Sequence, residues 1–535
     1  MKHRMLEFLV SEMGFTLFTI EAAFPESLAV NRYVLTGEGD ARHSLTSMQP
    51  YCWDCEEVLD QIEWMRRWNA EHDQKVSFYG FDLQTSWPAA IFALKYLKEH
   101  DSAAYGRLRE PLQLLASDWW GLNWISRSNA EKDDARAAVA ETKAILADLS
   151  ANGSDEATAT LVRLHGEVLS QVVQLVGDSS ADLKTIQGLR DRAMAENFAA
   201  LLKMHGPDAK AVVWAHNGHV QLKTHGEFGF EGGTKTMGEH LRAMFGDDYR
   251  VFGFGFDHGS LTALDEARRL HTPSVSSTPG SLDAVLAEAA PAICALNLRS
   301  VPDEVGDWLA QGPLSLDIGG LWYPGSGLEA WTKTDIREHY DALLFVREMT
   351  PSRHNAPYQI EWFRQDPPHE LPINLDFNSG LDGWNRHAQP AVGAYHVDVV
   401  AQGGTNVLEL SRSEALWPWD IFAVRQSVSA EPWRGQQITV HCDASIQATH
   451  PGSSAQLGVR ASQNLPEDYK TDWATATQKT MERFVWQRMV TLEAETRRLS
   501  LTVDVAEDAD TFEIALVITG DGTARFGPVT IEEGI

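Results

Sequence analysis

The stretch AVVWAHNGHV, residues 211 to 220, ends a run of apolar residues on two imidazoles, His216 and His219, set three apart around Asn217 and Gly218. Two other apolar runs end on carboxylates: FTLFTIEA on Glu21 and KVSFYGFD on Asp82. A carboxylate that orients and charges an imidazole gives an acid/base pair able to act on a bound water near neutral pH, which suits hydrolysis of an activated carbonyl. The same residue types allow a metal site, with the HxxH rings as two ligands and Glu21 or Asp82 completing the set. They also allow a purely structural pair that caps a helix. Spacing leaves these three readings open.

The elements that must hold these residues follow from the pattern around them. Further apolar runs occur at YRVFGFGFD, AICALNLRS and DALLFVREM, and residues 97 to 208 carry a helical pattern with an acidic, alanine-rich centre. Nearly continuous apolar strands alternating with helices predict an α/β domain, a largely parallel sheet flanked by helices with a helical insertion. Ligands of such sheets lie beyond the carboxyl ends of the strands, where Glu21, Asp82 and His216 fall. From about residue 372 helical periodicity gives way to short alternating stretches such as NVLELSRS, FAVRQSVSA and TFEIALVIT, the signature of an all-β sandwich of jelly-roll type. The expected organisation is an α/β domain over 1–353, a linker over 354–371 and a sandwich over 372–535.

The chain has 535 residues and a net charge of -30, which repels nucleic acid and anionic membrane surfaces and favours a small neutral or cationic partner. No window is apolar enough to span a membrane. The opening MKHRMLEFLVSEMG has Glu7, Ser11 and Glu12 inside what would be the apolar core of a signal peptide, so a cytoplasmic location is the default expectation. Four cysteines make no disulfide scaffold; Cys52 and Cys55 form a lone CxxC at a helix start, and Cys294 reads as core packing. There is no GxSxG elbow, and the glycines of VFGFGFDHGS lack dinucleotide-binding spacing.

The phrases KHRMLEFLVSEMGFTLFTIEAAFPES, EEVLDQIEWMRRWN, VSFYGFDLQ, RDRAMAENFAALL, VVWAHNGHV and MGEHLRAMFGDDYRVFGFGF stand in this order in the chain. Through them, residues 1 to about 350 resemble the erythromycin esterase family. The resemblance implies a carboxylic ester hydrolase that opens macrolide-like lactones or smaller esters with activated water, without a metal or other cofactor. It assigns Glu21, His216 and His219 as catalytic. It places Lys2 where the family has a basic residue and puts Asp82, Arg66, Arg192 and Asn197 inside matching motifs. Lys2, Asp82, Arg66 and Arg192 are candidate substrate contacts, although an ion pair fixing helices to the sheet is the stronger reading for the two arginines. Trp119 and Trp120 are candidates for an apolar wall over the cleft, with helix packing as the alternative.

The family also has a GExxH segment ahead of the helix that here begins at Met1, whose histidine is its presumed base. GEGD at 37–40 is no substitute, since no histidine stands three residues after Glu38. The expectation is a start assigned too far downstream; the alternative is a truncated, inactive relative that binds a ligand or glycan. In the sandwich, Trp384, Trp417, Trp419 and Trp433 are candidates for stacking on a carbohydrate.

Overall fold

Three parallel strands carry the amino-terminal half: β1 (Leu17–Ala23), β2 (Ser77–Asp82) and β3 (Ala211–Trp214), in the order β2-β1-β3. The computed structural model describes all residues except 49–50, 117–127, 154, 178–182, 224–233, 265–269, 321, 323–330, 355–367, 390–394, 413–420, 449–452, 463–495, 521 and 534–535. Both faces of this sheet are covered, as its unbroken apolar strands require. Phe18, Ile20 and Phe78 pack on one face against Leu6 and Val10 of the opening helix, Val30 and Val34 of the Phe24–Thr36 helix, and Ile62 and Met65 of the Glu56–Glu71 helix. Leu17, Tyr79 and Phe81 face the other way, toward the helical insertion, where Met194 and Leu201 of the Leu183–Met204 helix are fully buried.

The three later apolar runs do not extend that sheet. They form a second one with β4 (Phe252–Ser260), β7 (Ser274–Ser276), β8 (Ile293–Asn297) and β11 (Ala342–Met349), ordered β7-β4-β11-β8. Its centre, β4 with β11, is parallel, whereas β8 pairs antiparallel with β11. The side chains of β8 alternate between exposed and half-buried, as an edge strand covered on one face must. Short pairs β5 (Ala263–Leu264) with β6 (Leu270–His271), and β9 (Leu314–Leu316) with β10 (Trp331–Lys333), lie alongside. The Asn217 side chain links the sheets by mimicking a strand: its amide donates to Phe254 O at 2.8 Å and accepts from Phe254 N–H at 3.1 Å.

The C-terminal domain has two antiparallel sheets around one core. One holds β12 (Asn385–Gln389), β15 (Ile421–Ser429), β19 (Thr511–Thr519) and β17 (Ser454–Ser462). The other holds β13 (His396–Gln402), β14 (Thr405–Arg412), β20 (Gly522–Glu533), β16 (Gln437–Ala448) and β18 (Arg497–Asp504). Trp384 and Trp433 are buried in this core, the first donating to Asn374 O at 3.1 Å and the second packed on Phe512. Neither can stack on a sugar, because the core already occupies the ring faces; Trp417 and Trp419 lie outside the described residues. Among the described residues no helix is long and apolar enough to cross a membrane.

One glycine sets the position of the site. The β1–β2 register slips between Ile20 and Ala23, the stretch that carries Glu21. Gly80 lies beside the slip, and a Cβ there would stand 2.2 Å from Ala22 O. Gly80→Ala must therefore push β1 and β2 apart. Denaturant unfolding should show a loss of at least about 2 kcal/mol, and a loss below about 0.5 kcal/mol would mean the slip adapts freely.

Candidate active site

Glu21, Asp82 and His216 emerge at the carboxyl end of the parallel sheet, and the Leu183–Met204 helix lays Arg190 across them. The Arg190 guanidinium forks onto Asp82, with Nε to Oδ1 at 3.0 Å and Nη2 to Oδ2 at 2.6 Å. The same Nη2 reaches Glu21 Oε1 at 2.8 Å, and Nη1 lies 3.1 Å from His219 Nε2. Asp82 also accepts from Leu83 N–H and from the Gln84 amide, both at 2.8 Å. The buried Asp82 and the largely buried Glu21 thus flank one largely buried guanidinium, an arrangement in which removing any member leaves an uncompensated charge.

Glu21 is the hub. Its Oε2 accepts the His216 backbone N–H at 2.9 Å, and its Oε1 lies 3.3 Å from His219 Nε2. Burial by itself would raise its pKa, but the charges of His219 and Arg190 and the His216 N–H prevail and hold it at about 2. The main chain of the same residue is fixed from the other side, where the Trp53 indole donates to Glu21 O at 2.7 Å.

The two histidines sit in different environments. His219 is largely enclosed, 12% exposed, with Nδ1 against Asp191 Oδ1 at 2.5 Å. Desolvation lowers its pKa, yet Asp191 and Glu21 outweigh that and raise it to about 9, so the ring is doubly protonated at neutral pH. His216, 38% exposed, is the more open ring. Its Nδ1 accepts the Gly218 N–H at 3.1 Å, capping the Asn217–Val220 turn, and its Nε2–H donates to Ile318 O at 3.0 Å with Asp317 Oδ1 at 3.6 Å. The rings of the HxxH pair therefore face different partners. Among the described residues no three His, Cys, Asp or Glu side chains converge as metal ligands.

Lys2 closes the site from the opening helix, its ammonium 4.5 Å from the ring centroids of both Trp214 and Phe254. Burial lowers its pKa to about 8, although Cys52 and Glu21 pull it upward.

Of the other predicted contacts, two arginines lie elsewhere. Arg66 donates to Leu35 O at 3.2 Å and packs on Gly37, tying the end of one helix to another. Arg192 is 65% exposed and pairs with Glu196 at 2.8 Å; two residues along a helix is a turn of about 200°, so it points away from Arg190. Asn197 has a structural task, donating to Phe81 O at 3.1 Å and exchanging hydrogen bonds with Gln171. Trp119 and Trp120 lie outside the described residues.

Sequence reasoning missed Arg190, Asp191 and Asp317. The first was within reach: Arg190 shares the 3.6-residue face of Met194, Asn197 and Leu201, all buried, whereas Arg192 does not. No local signal brings Asp317 to His216 from a hundred residues away.

The family model for erythromycin esterase matches residues 10–349. The chain belongs to the erythromycin esterase family. An Escherichia coli relative named erythromycin esterase type II is 23% identical over 282 residues, covering 49% of this chain and 67% of its own length. A Bacillus subtilis relative whose name describes it as a hydrolase is 22% identical over 385 residues, covering 66% of this chain and 80% of its own length. Two solved structures share the fold. A Bacillus cereus protein has a TM-score of 0.59 at 23% identity, over 66% of this chain and 85% of that one. A succinoglycan biosynthesis protein has a TM-score of 0.57 at 22% identity, over 66% and 84%. Membership places the chain among hydrolases.

The pKa shifts fix a pH dependence. His219, raised from 6.5 to about 9, adds stability that is fully present below its unfolded pKa and lost as pH rises through about 9. Glu21, lowered from 4.5 to about 2, adds stability present above 4.5 and lost as pH falls through about 2. In thermal unfolding, the wild-type midpoint should fall between about pH 7 and 9 more steeply than that of His219→Gln. Parallel curves would show that the His219 proton is not coupled to folding.

Proposed function

We propose that the chain hydrolyses a lactone or other carboxylic ester, macrolide-like or smaller, by attack of water. The observation that carries this reading is the Asp82–Arg190–Glu21–His219–Asp191 cluster, a set of largely buried charges in which three carboxylates surround two cations at the carboxyl ends of the strands, with the partly exposed His216 beside it. An ester needs a proton taken from the attacking water and charge stabilised on the carbonyl oxygen. His216 is the ring placed to exchange protons with water, accepting one at Nδ1 in exchange for its Gly218 contact while Asp317 offsets the ring's charge. The Lys2 ammonium, held against Trp214 and Phe254, supplies positive charge at the rim for a developing oxyanion.

A second reading keeps the cleft as a ligand-binding site without turnover. It is favoured by the engagement of both His216 nitrogens in the unliganded chain. An accessory carbohydrate site on the C-terminal sandwich is part of the proposal, resting on sheet architecture alone.

The test is hydrolysis of a panel of lactones and simple esters, with and without a chelator. Activity that survives chelation and falls at least about 100-fold in His216→Ala supports water activation by this ring. Loss of activity on chelation favours the metal-dependent reading. Binding of an ester with no turnover favours the second.

A further inference from the structure

His219 Nε2 stands between a donor and an acceptor, Arg190 Nη1 at 3.1 Å and Glu21 Oε1 at 3.3 Å. Both contacts cannot be hydrogen bonds at once. A protonated Nε2 donates to Glu21 and offers Arg190 nothing; a bare Nε2 accepts from Arg190 and releases Glu21 Oε1. Nδ1 has no such choice, because the Asp191 carboxylate holds its proton. The charged groups around the ring are Glu21 from β1 and Arg190 and Asp191 from the Leu183–Met204 helix. Asp82 from β2 acts through Arg190, and His240 from the Met237–Phe245 helix interacts with Asp191.

We propose that His219 is the proton donor to the leaving oxygen and that Arg190 is the positioning residue that takes over Nε2 once that proton has gone. The inference rests on the hydrolytic reading above. In the step, the carbonyl carbon–oxygen bond of the tetrahedral intermediate breaks and its electron pair stays on the leaving oxygen. That oxygen forms a bond to the Nε2 proton, and the electron pair of the N–H bond remains on Nε2 as the lone pair that Arg190 Nη1–H then meets. The ring passes from cation to neutral without turning. Arg190 keeps its fork on Asp82 throughout, so the neutral ring is held where the next proton must be delivered.

Two measurements test this, and the first needs no activity. In 15N-histidine-labelled protein, with His219→Gln identifying the resonances, Nε2 should lose its proton near pH 9 while Nδ1 keeps its own. The neutral Nε2 should resonate as a hydrogen-bonded acceptor, and Arg190→Lys should move it to the unbonded position. A ring that keeps the Nε2 proton to about pH 11, or sheds the Nδ1 proton first, overturns the exchange of partners. The second compares an alkyl ester with a nitrophenyl ester, whose leaving group needs no proton. His219→Gln should lower turnover of the first by about 100-fold or more and of the second by less than about 10-fold. Equal losses overturn the donor role. If the wild-type chain hydrolyses neither ester while the ring titrates as described, the hydrolytic reading and the donor role fall together and the exchange of partners stands.

Discussion

A guanidinium taken out of water is costly unless every charge it faces is opposite and every N–H finds an acceptor. Arg190 comes close to that condition by lying between Asp82 and Glu21, although the protonated His219 ring beside Nη1 is a like charge, and the rest of the site follows from it. The two carboxylates are brought together at the ends of adjacent parallel strands; without the cation between them they would repel. Glu21, held ionised, can then order the His216 main chain and charge His219. The helix that delivers Arg190 delivers Asp191 one residue later, so one element supplies both the cation on Glu21 and the anion on His219.

The slip in β1 and the small size of Gly80 are the backbone side of the same constraint, since a regular β1 would place Glu21 in a different register from Asp82. Glu26 shows what happens to a carboxylate nearby that lacks a cation. It is fully buried, with the Thr85 hydroxyl donating to Oε1 at 2.5 Å but no cation beside it, and burial pushes its pKa up to about 8, so it remains neutral where Glu21 is charged.

Much of this could be read from residues alone. The strand ends at Glu21, Asp82 and His216 were legible because apolar runs that stop on a charged residue are local patterns, and the structure brings those three together with His219 and Lys2. The arginine was harder. In RDRAMAENFAALL both arginines suit a helix, and only the phase of the buried positions Met194, Asn197 and Leu201 distinguishes them. The division into two sheets was not legible, because strand pairing depends on partners far away in sequence: the edge position of β8 is decided by β11, and Asn217 forms the link by copying a strand with its side chain. In the C-terminal domain the alternating runs marked most of the strands, while β12, NRHAQ, was invisible for want of apolar residues. Its tryptophans misled, because a ring that fills a core and a ring that stacks on a ligand are the same letter in a sequence.

The central claim is that one buried cation holds the two carboxylates and, through Glu21, both histidines. It is tested most directly by a double-mutant cycle in denaturant unfolding with Arg190→Met, Asp82→Asn and the pair. Arg190→Met alone should cost about 3–5 kcal/mol, and adding Asp82→Asn should recover part of that loss by removing a stranded charge. A loss below about 1 kcal/mol for Arg190→Met, or strict additivity of the two changes, would contradict the account.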